Sequence, residues 1–380
     1  MTSLLDKTVS QIVPQDDACR TAARQRLDQL IMPHWALGRL MDLAVDLAGM
    51  TRSLRPPLAR KVVVVMAGDH GVAGEGVSRY PQEVTGQMVH GFASGKAGIN
   101  ALARLAGARV VVVDVGVVAD LGPLAAAGKI LDRKIARGTA NLAAGPAMTR
   151  QQALRAVETG IEIVEELCWE KGDSPHLCEA PSGPFRQMGT VPFFPEGVDL
   201  LAAGDMGIAN STPSAAVAAA LTGLPAAELV GRGTGIDDGQ LARKTAVVEK
   251  ALCVNRPDPA DGLDVLAKVG GFEIGGIAGI VLAAAARRKP VLVDGFISTA
   301  GALLAHALAP AATQYVIAAH RSVEPGHRAM QEHLGKRPLL DLDLRLGEGT
   351  GAVLAMHLVE AAGRILSEVA TFEEAHVSRA

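Results

Sequence analysis

The chain has 380 residues, of which 49% are apolar and only 3% aromatic, with 42 glycines and a formal net charge of −3. That length accommodates a full α/β core with a smaller appended lobe, and the composition is that of a compact enzyme built from Ala, Val, Leu and Ile. A weakly acidic chain without a Lys/Arg block lacks the concentrated basic face that phosphate backbones require, which excludes nucleic acid as the main partner.

Taken in chain order, the N-terminal stretch MTSLLDKTVSQIVPQDDACR carries acidic residues and no apolar signal core, so a cytoplasmic protein is expected. Residues 15–55 read mainly as helix, broken at Pro33. Short β-branched runs then alternate with long Ala/Leu-rich segments, the pattern of parallel strands with helical crossovers. Strands are expected at about 61–66, 109–115, 198–203, 228–232, 291–295 and 314–319, and helices near 84–106, 151–169, 213–223, 240–252, 275–288 and 299–308. The run IGGIAGIVLAAAA at 274–286 is too short for the roughly 20 residues of a bilayer span and reads as a buried helix. Residues 168–197 are rich in Pro and Gly without a clear period, as expected of an irregular insertion, lid or flap. Two helical stretches are expected within 326–368. The organisation that follows is a mostly parallel α/β sheet over 59–325, with a smaller helical lobe formed by 1–58 and 326–380.

The four cysteines, Cys19, Cys168, Cys178 and Cys253, are too scattered for a disulfide framework. Cys19 and Cys253 read as small hydrophobes, and the Cys168–His176–Cys178 group matches no zinc spacing. Asp69, His70, His90, His320, His327 and His333 likewise show no metal-ligand spacing, and structural histidines are expected.

Chemistry gathers at the strand ends, where open parallel sheets bind their ligands. AGDHGV (67–72) and AGDMGI (203–208) are near-copies, as are GRGTG (231–235) and GEGTG (347–351). Asn210, Ser211 and Thr212 open a helix; they suit N-capping and a phosphate seat equally well. GRGTG, with Arg232 able to pair a phosphate and Thr234 a hydroxyl donor, tips the balance toward a phosphorylated sugar. The competing reading of Arg232 is an ion pair with Asp237 or Asp238. There is neither a Walker loop nor a dinucleotide fingerprint, and a monophosphate held without metal fits better. Ser78, Tyr80, Gln87, Met88 and Phe92 could floor a small flat apolar ligand or simply pack a helix.

The ordered set AGDHGVAGEGVSRYPQEVTGQMV, GDMGIANSTPSAA, GRGTGIDDGQLARK, VGGFEIGGIAG, VDGFISTAGALLA, AHRSVEPGHRAM and LLDLDLRLGEGTGAVLA closely resembles the nicotinate-nucleotide:dimethylbenzimidazole phosphoribosyltransferase family of cobalamin lower-ligand activation. The resemblance covers about 15–365 apart from the insertion. It implies a Rossmann-like sheet, a homodimer, no cofactor, and transfer of phosphoribose from nicotinate mononucleotide to 5,6-dimethylbenzimidazole or a related azole, giving α-ribazole 5′-phosphate and nicotinate. By the same resemblance Glu348 of GEGTG is the general base, with burial expected to strengthen it. The phosphoribose would be seated by Gly207, Asn210, Ser211, Thr212, Gly231, Arg232, Gly233, Thr234, Gly235 and Ser298. The azole would be bordered by Ser78, Tyr80, Gln87, Met206 and Leu346, and Asp205 and Lys244 would support the site. The chain departs from the family pattern at His34-Trp35 in MPHWALGRL and at Ala209, where glycine is usual. Three alternatives compete: Glu348 as a cap of the helix that follows it, a nucleosidase in which Asp69, Asp205 or Glu348 activates water, and a non-catalytic nucleotide-binding regulator.

Overall fold

In the computed structural model, which describes residues 2–168 and 197–378, the run KVVVVMAG at Lys61–Gly68 forms strand β1 and is buried along its whole length. Consecutive valines suit a strand covered on both faces, because branched side chains pack well on a pleated surface. The other strands of the same sheet are β2 (Ala108–Gly116), β3 (Leu131–Asp132), β4 (Leu200–Met206), β5 (Val291–Val293) and β6 (Val316–Ala318). All pair in parallel, in the order β3-β2-β1-β4-β5-β6. The connections run outward in both directions from β1 and β4, so a crevice opens beyond the carboxyl ends of these two strands. This is the expected Rossmann-like α/β class.

One face of the sheet is covered by the apolar helix Phe272–Ala286, which lies against β1, β2 and β4 and packs between Arg150–Cys168 and Phe296–Leu308. A Cβ on Gly160 would overlap the carbonyl of Gly276, and one on Gly279 that of Val157. The two helices therefore meet backbone to backbone, and glycine is what permits it. On the second face Gly98–Ala106 meets β2 and Thr350–Glu368 meets β4 and β5, with Arg39–Thr51 packed on the outside of the latter. The chain ends thus contribute to the covering of the sheet: Thr350–Glu368 touches strands directly, and Leu4–Gln11 packs on Arg150–Cys168 and Phe272–Ala286.

Several elements differ from expectation. The expected strand at 228–232 is absent; Ala226–Leu229 is a short helix, and the backbone beyond it is held by side chains instead of a neighbouring strand. Lys244 Nζ donates to the Gly231 carbonyl and the Gly233 amide donates to Glu324. The expected helix 84–106 is two, Val84–Ala93 and Gly98–Ala106, parted at Gly95, whose φ of +73° no helix accommodates. The short strands β7 (His320–Ser322) and β8 (Leu340–Leu344) form an unanticipated parallel pair that flanks the first of the two expected C-terminal helices, Pro325–His333, and precedes the second, Thr350–Glu368. The insertion, including His176 and Cys178, lies outside the described residues apart from its ends. Cys168 is buried, whereas Cys253 is exposed and Cys19 half-buried, so those two are not core hydrophobes.

Candidate active site

The pairing of β4 with β1 sets Met66 opposite Asp205 and Ala67 opposite Met206, so the two near-copy turns leave the sheet side by side. They nest closely: a Cβ on Gly207 would overlap the carbonyl of Gly68. Asp69 after β1, Asp205 at the end of β4 and Asp294 after β5 therefore gather at one rim, all of them buried.

Glu348 joins them from the GEGTG loop. Gly347, Glu348 and Gly349 have φ of +81°, +63° and +86°, three left-handed residues in succession. For the glutamate this costs about 1–2 kcal/mol, which the surroundings must offset. They do so through backbone contacts. Glu348 N–H donates to the Asp205 carbonyl at 3.2 Å, while Gly349 and Ala352 donate to the two carboxylate oxygens of Asp294 at 3.1 and 2.9 Å. Gly204 lets β4 approach, since a Cβ there would lie 2.5 Å from backbone atoms of Glu348 and Gly349.

The helix Thr350–Glu368 is thus capped by Asp294, and its own N-cap residue, Gly349, contributes no side chain. This corrects the reading of Glu348 as a helix cap. The Glu348 carboxylate turns instead to Gly98–Ala106, where Oε2 accepts from the Ile99 amide at 3.1 Å; no described donor reaches Oε1. The residue is only 4% exposed. Burial raises its pKa, the Ile99 hydrogen bond opposes that rise, and the Asp294 charge adds to it. Asp205 is raised further, to about 7, by burial and by Asp294, against the stabilising Asn210 hydrogen bond.

The residues expected to seat phosphoribose form one connected set. Asn210 leaves its helix uncapped and donates to Asp205 Oδ2 at 2.9 Å. Lys244 Nζ donates to Ser211 Oγ at 2.8 Å and to the Gly231 carbonyl at 2.9 Å, tying the 210–212 turn to GRGTG. Burial lowers Lys244 to about 8, with Glu324 opposing. Thr234 Oγ1 accepts from the Arg79 amide at 3.1 Å and lies 3.4 Å from Ser78 Oγ, joining GRGTG to the loop expected to border the azole. Ser298 is fully buried, donating to the Ala203 carbonyl at 3.2 Å with Asp205 Oδ1 at 3.5 Å; Thr212 is fully buried as well. Arg232 pairs with Asp238, the competing reading, and also lines a cleft of about 390 Å³ with Gly231, Gly233, Gly235, Glu324 and Arg345.

Of the azole set, Leu346 stands beside the carboxylate: a Cβ on Gly98 would lie 3.0 Å from Leu346 Cδ2 and 3.4 Å from Glu348 Oε2. Ser78 and Met206 are half-buried, Gln87 is exposed, and Tyr80, 52% exposed, reaches the set through its amide to Ser78 Oγ at 3.3 Å. The buried histidines His70, His320 and His327 have structural partners, whereas His90 is exposed. His70 Nε2 sits 2.9 Å from Glu273 Oε1 in a sealed pair, and His327, which burial holds down to about 3, bonds Thr299. Among the described residues, no three His, Cys, Asp or Glu side chains are arranged to hold a metal ion.

Sequence reasoning missed Asp294, Ile99, Glu273 and Glu324. Asp294 follows β5 as Asp69 follows β1, so its position at a strand end was a usable signal. Ile99 acts through its amide and Glu324 depends on a long-range contact; neither leaves a mark in the sequence.

Comparison with known proteins places the chain in a family. A family model described as Phosphoribosyltransferase matches residues 12–179 and 192–377. Relatives named nicotinate-nucleotide–dimethylbenzimidazole phosphoribosyltransferase from Syntrophotalea carbinolica and Desulfotalea psychrophila are 58% and 53% identical over 377 residues, 99% of each chain. A crystal structure of the Thermus thermophilus protein of that name superposes with a TM-score of 0.83 at 48% identity, covering 96% of this chain and 100% of the other. The chain belongs to the nicotinate-nucleotide–dimethylbenzimidazole phosphoribosyltransferase family.

Proposed function

We propose that this protein transfers phosphoribose from nicotinate mononucleotide to 5,6-dimethylbenzimidazole or a related azole, with Glu348 as the general base. The observation that carries the assignment of the base is the division of labour in its carboxylate: Oε2 is held by the Ile99 amide and Oε1 is left to accept a proton. The donor already carries a cationic pyridinium, so nicotinate departs without further activation and the azole is the weak partner. Glu348 removes its N–H proton, and the other ring nitrogen attacks C1′ from the face opposite nicotinate, inverting the centre to the α-configuration. A carboxylate that burial and Asp294 make more basic is better matched to this proton than one in water.

The phosphate is received by the 210–212 turn and the GRGTG loop, with Lys244 and the exposed face of Arg232 supplying positive charge. Ser78, Tyr80, Gln87, Met206 and Leu346 border the azole, and Asp205 orients Asn210 beside the ribose. This reading takes residues 1–58 and 326–380 as the small lobe beside the catalytic body 59–325, and the working form as a cytoplasmic homodimer that needs no cofactor. No described helix is long and apolar enough to cross a membrane.

The test is chromatography of nicotinate and ribazole phosphate after incubation with nicotinate mononucleotide, with and without azole. Nicotinate release that depends on azole and matches ribazole phosphate one to one is expected. Release at the same rate without azole would make the protein a nucleosidase, and no release in either case would make it a binder.

A further inference from the structure

Glu348 sits in a conformation that its own residue type disfavours, so something else must hold it. We propose that Asp294 and the backbone amide of Ile99 are the two positioning groups for transfer, Asp294 gripping the loop that carries Glu348 and Ile99 gripping one oxygen of its carboxylate. This rests on Glu348 being the base.

Asp294 is fully buried at the end of β5 and divides its oxygens between the loop and the helix that follows: Oδ2 accepts from Gly349, adjacent to Glu348, and Oδ1 from Ala352 in the first helical turn. The helix N–H groups offset its charge, and His320 Nε2 stands 3.5 Å away. Gly351 passes His320 so closely that a Cβ would overlap the imidazole, so the segment is fixed between these two side chains. A buried anion this near also disfavours the charged form of Glu348, adding proton affinity to geometry. Ile99 acts with the opposite sign. Its N–H favours the carboxylate and fixes Oε2, which leaves Oε1 as the proton acceptor. Position and basicity are thereby set by two groups that pull the charge in opposite directions.

That opposition gives the test a signature that general damage cannot imitate. Asp294→Asn keeps the size and removes the charge, and it turns its NH2 toward one of the two backbone N–H groups that the carboxylate had paired. Ile99→Pro removes the N–H in a first helical turn, where proline is tolerated, but also trims a fully buried side chain, so its kinetics are read at a temperature below its own melting point and, if it does not fold, Asp294→Asn alone decides the proposal. Each variant is compared with wild type on benzimidazole, 5,6-dimethylbenzimidazole and 5,6-dichlorobenzimidazole, the last being the most acidic N–H donor. Thermal melting and calorimetric binding of nicotinate mononucleotide are followed alongside. We expect kcat to fall about 10- to 100-fold in each, with the donor KM within about threefold of wild type. In Asp294→Asn the loss should be largest for the least acidic azole, and in Ile99→Pro for the most acidic. If Asp294→Asn does not fold, Asp294→Ser, which keeps a capping hydroxyl, carries the same expectation.

Unchanged kcat, or a loss equal across the azoles, overturns the proposal. Glu348→Gln run in parallel separates the two levels. If it transfers normally, the base assignment itself fails; if it is inactive while the Asp294 and Ile99 variants are silent, the base stands and only the positioning proposal falls.

Discussion

Gly204 offers the most direct way to disturb the proposed base, Glu348, without touching it. Replacing it with alanine places a Cβ 2.5 Å from the carbonyl carbon and oxygen of Glu348 and from the amide nitrogen of Gly349. Non-bonded carbon atoms rest at about 3.5–4.0 Å, so one backbone must yield by about 1 Å. Neither can do so freely: Gly204 lies within β4, paired to β1, and the loop is tied to Asp294 and to the Asp205 carbonyl. Overpacking of this kind costs about 1–3 kcal/mol, seen as a melting temperature lower by a few degrees. The larger effect falls on chemistry, because a displacement of about 1 Å at a catalytic group costs about 100-fold in rate. The measurements are thermal unfolding, calorimetric binding of nicotinate mononucleotide and steady-state transfer. A modest stability loss, near-normal donor binding and a kcat lowered about 100-fold are expected. Wild-type stability and kcat would refute the close approach of β4 to the loop.

Two further outcomes follow from the same rim. Asp205 has a folded pKa near 7 against an ordinary value of 3.8, so its contribution to stability is fully present below about pH 4 and is lost as pH rises through 7. Asp205→Asn should therefore flatten the decline in melting temperature across that window, an effect of a few kcal/mol at most; an unchanged profile would remove Asp205 as its source. Ala209 has φ +72°, a strained value for any residue with a Cβ. Ala209→Gly should stabilise the protein by about 0.5–1 kcal/mol in denaturant unfolding, and a loss of stability would contradict the strain.

The parallel sheet was legible because β1 and β2 are valine runs buried on two faces and parallel pairing requires long crossovers. The rim proposed as the site was legible as a place where strands end, because AGDHGV and AGDMGI are glycine-marked turns at the carboxyl ends of adjacent parallel strands. What failed was tertiary in origin. The segment 228–232 has the composition of a strand, yet Lys244 and Glu324 satisfy the backbone beyond it. The twin loops look equivalent in sequence and serve different ends: GEGTG runs into a helix capped by Asp294, while Asp237 caps the helix after GRGTG. The N-terminus of the helix after GEGTG is filled by a carboxylate from the protein itself.

Glu348→Gln is the measurement that bears most directly on the whole account. The substitution keeps the side chain's size and an oxygen for the Ile99 amide, and removes only the capacity to take a proton. Transfer from nicotinate mononucleotide should fall by about 100-fold or more, with donor binding and melting temperature near those of wild type, since the side chain does not cap its helix. Transfer at the wild-type rate would contradict a base at position 348.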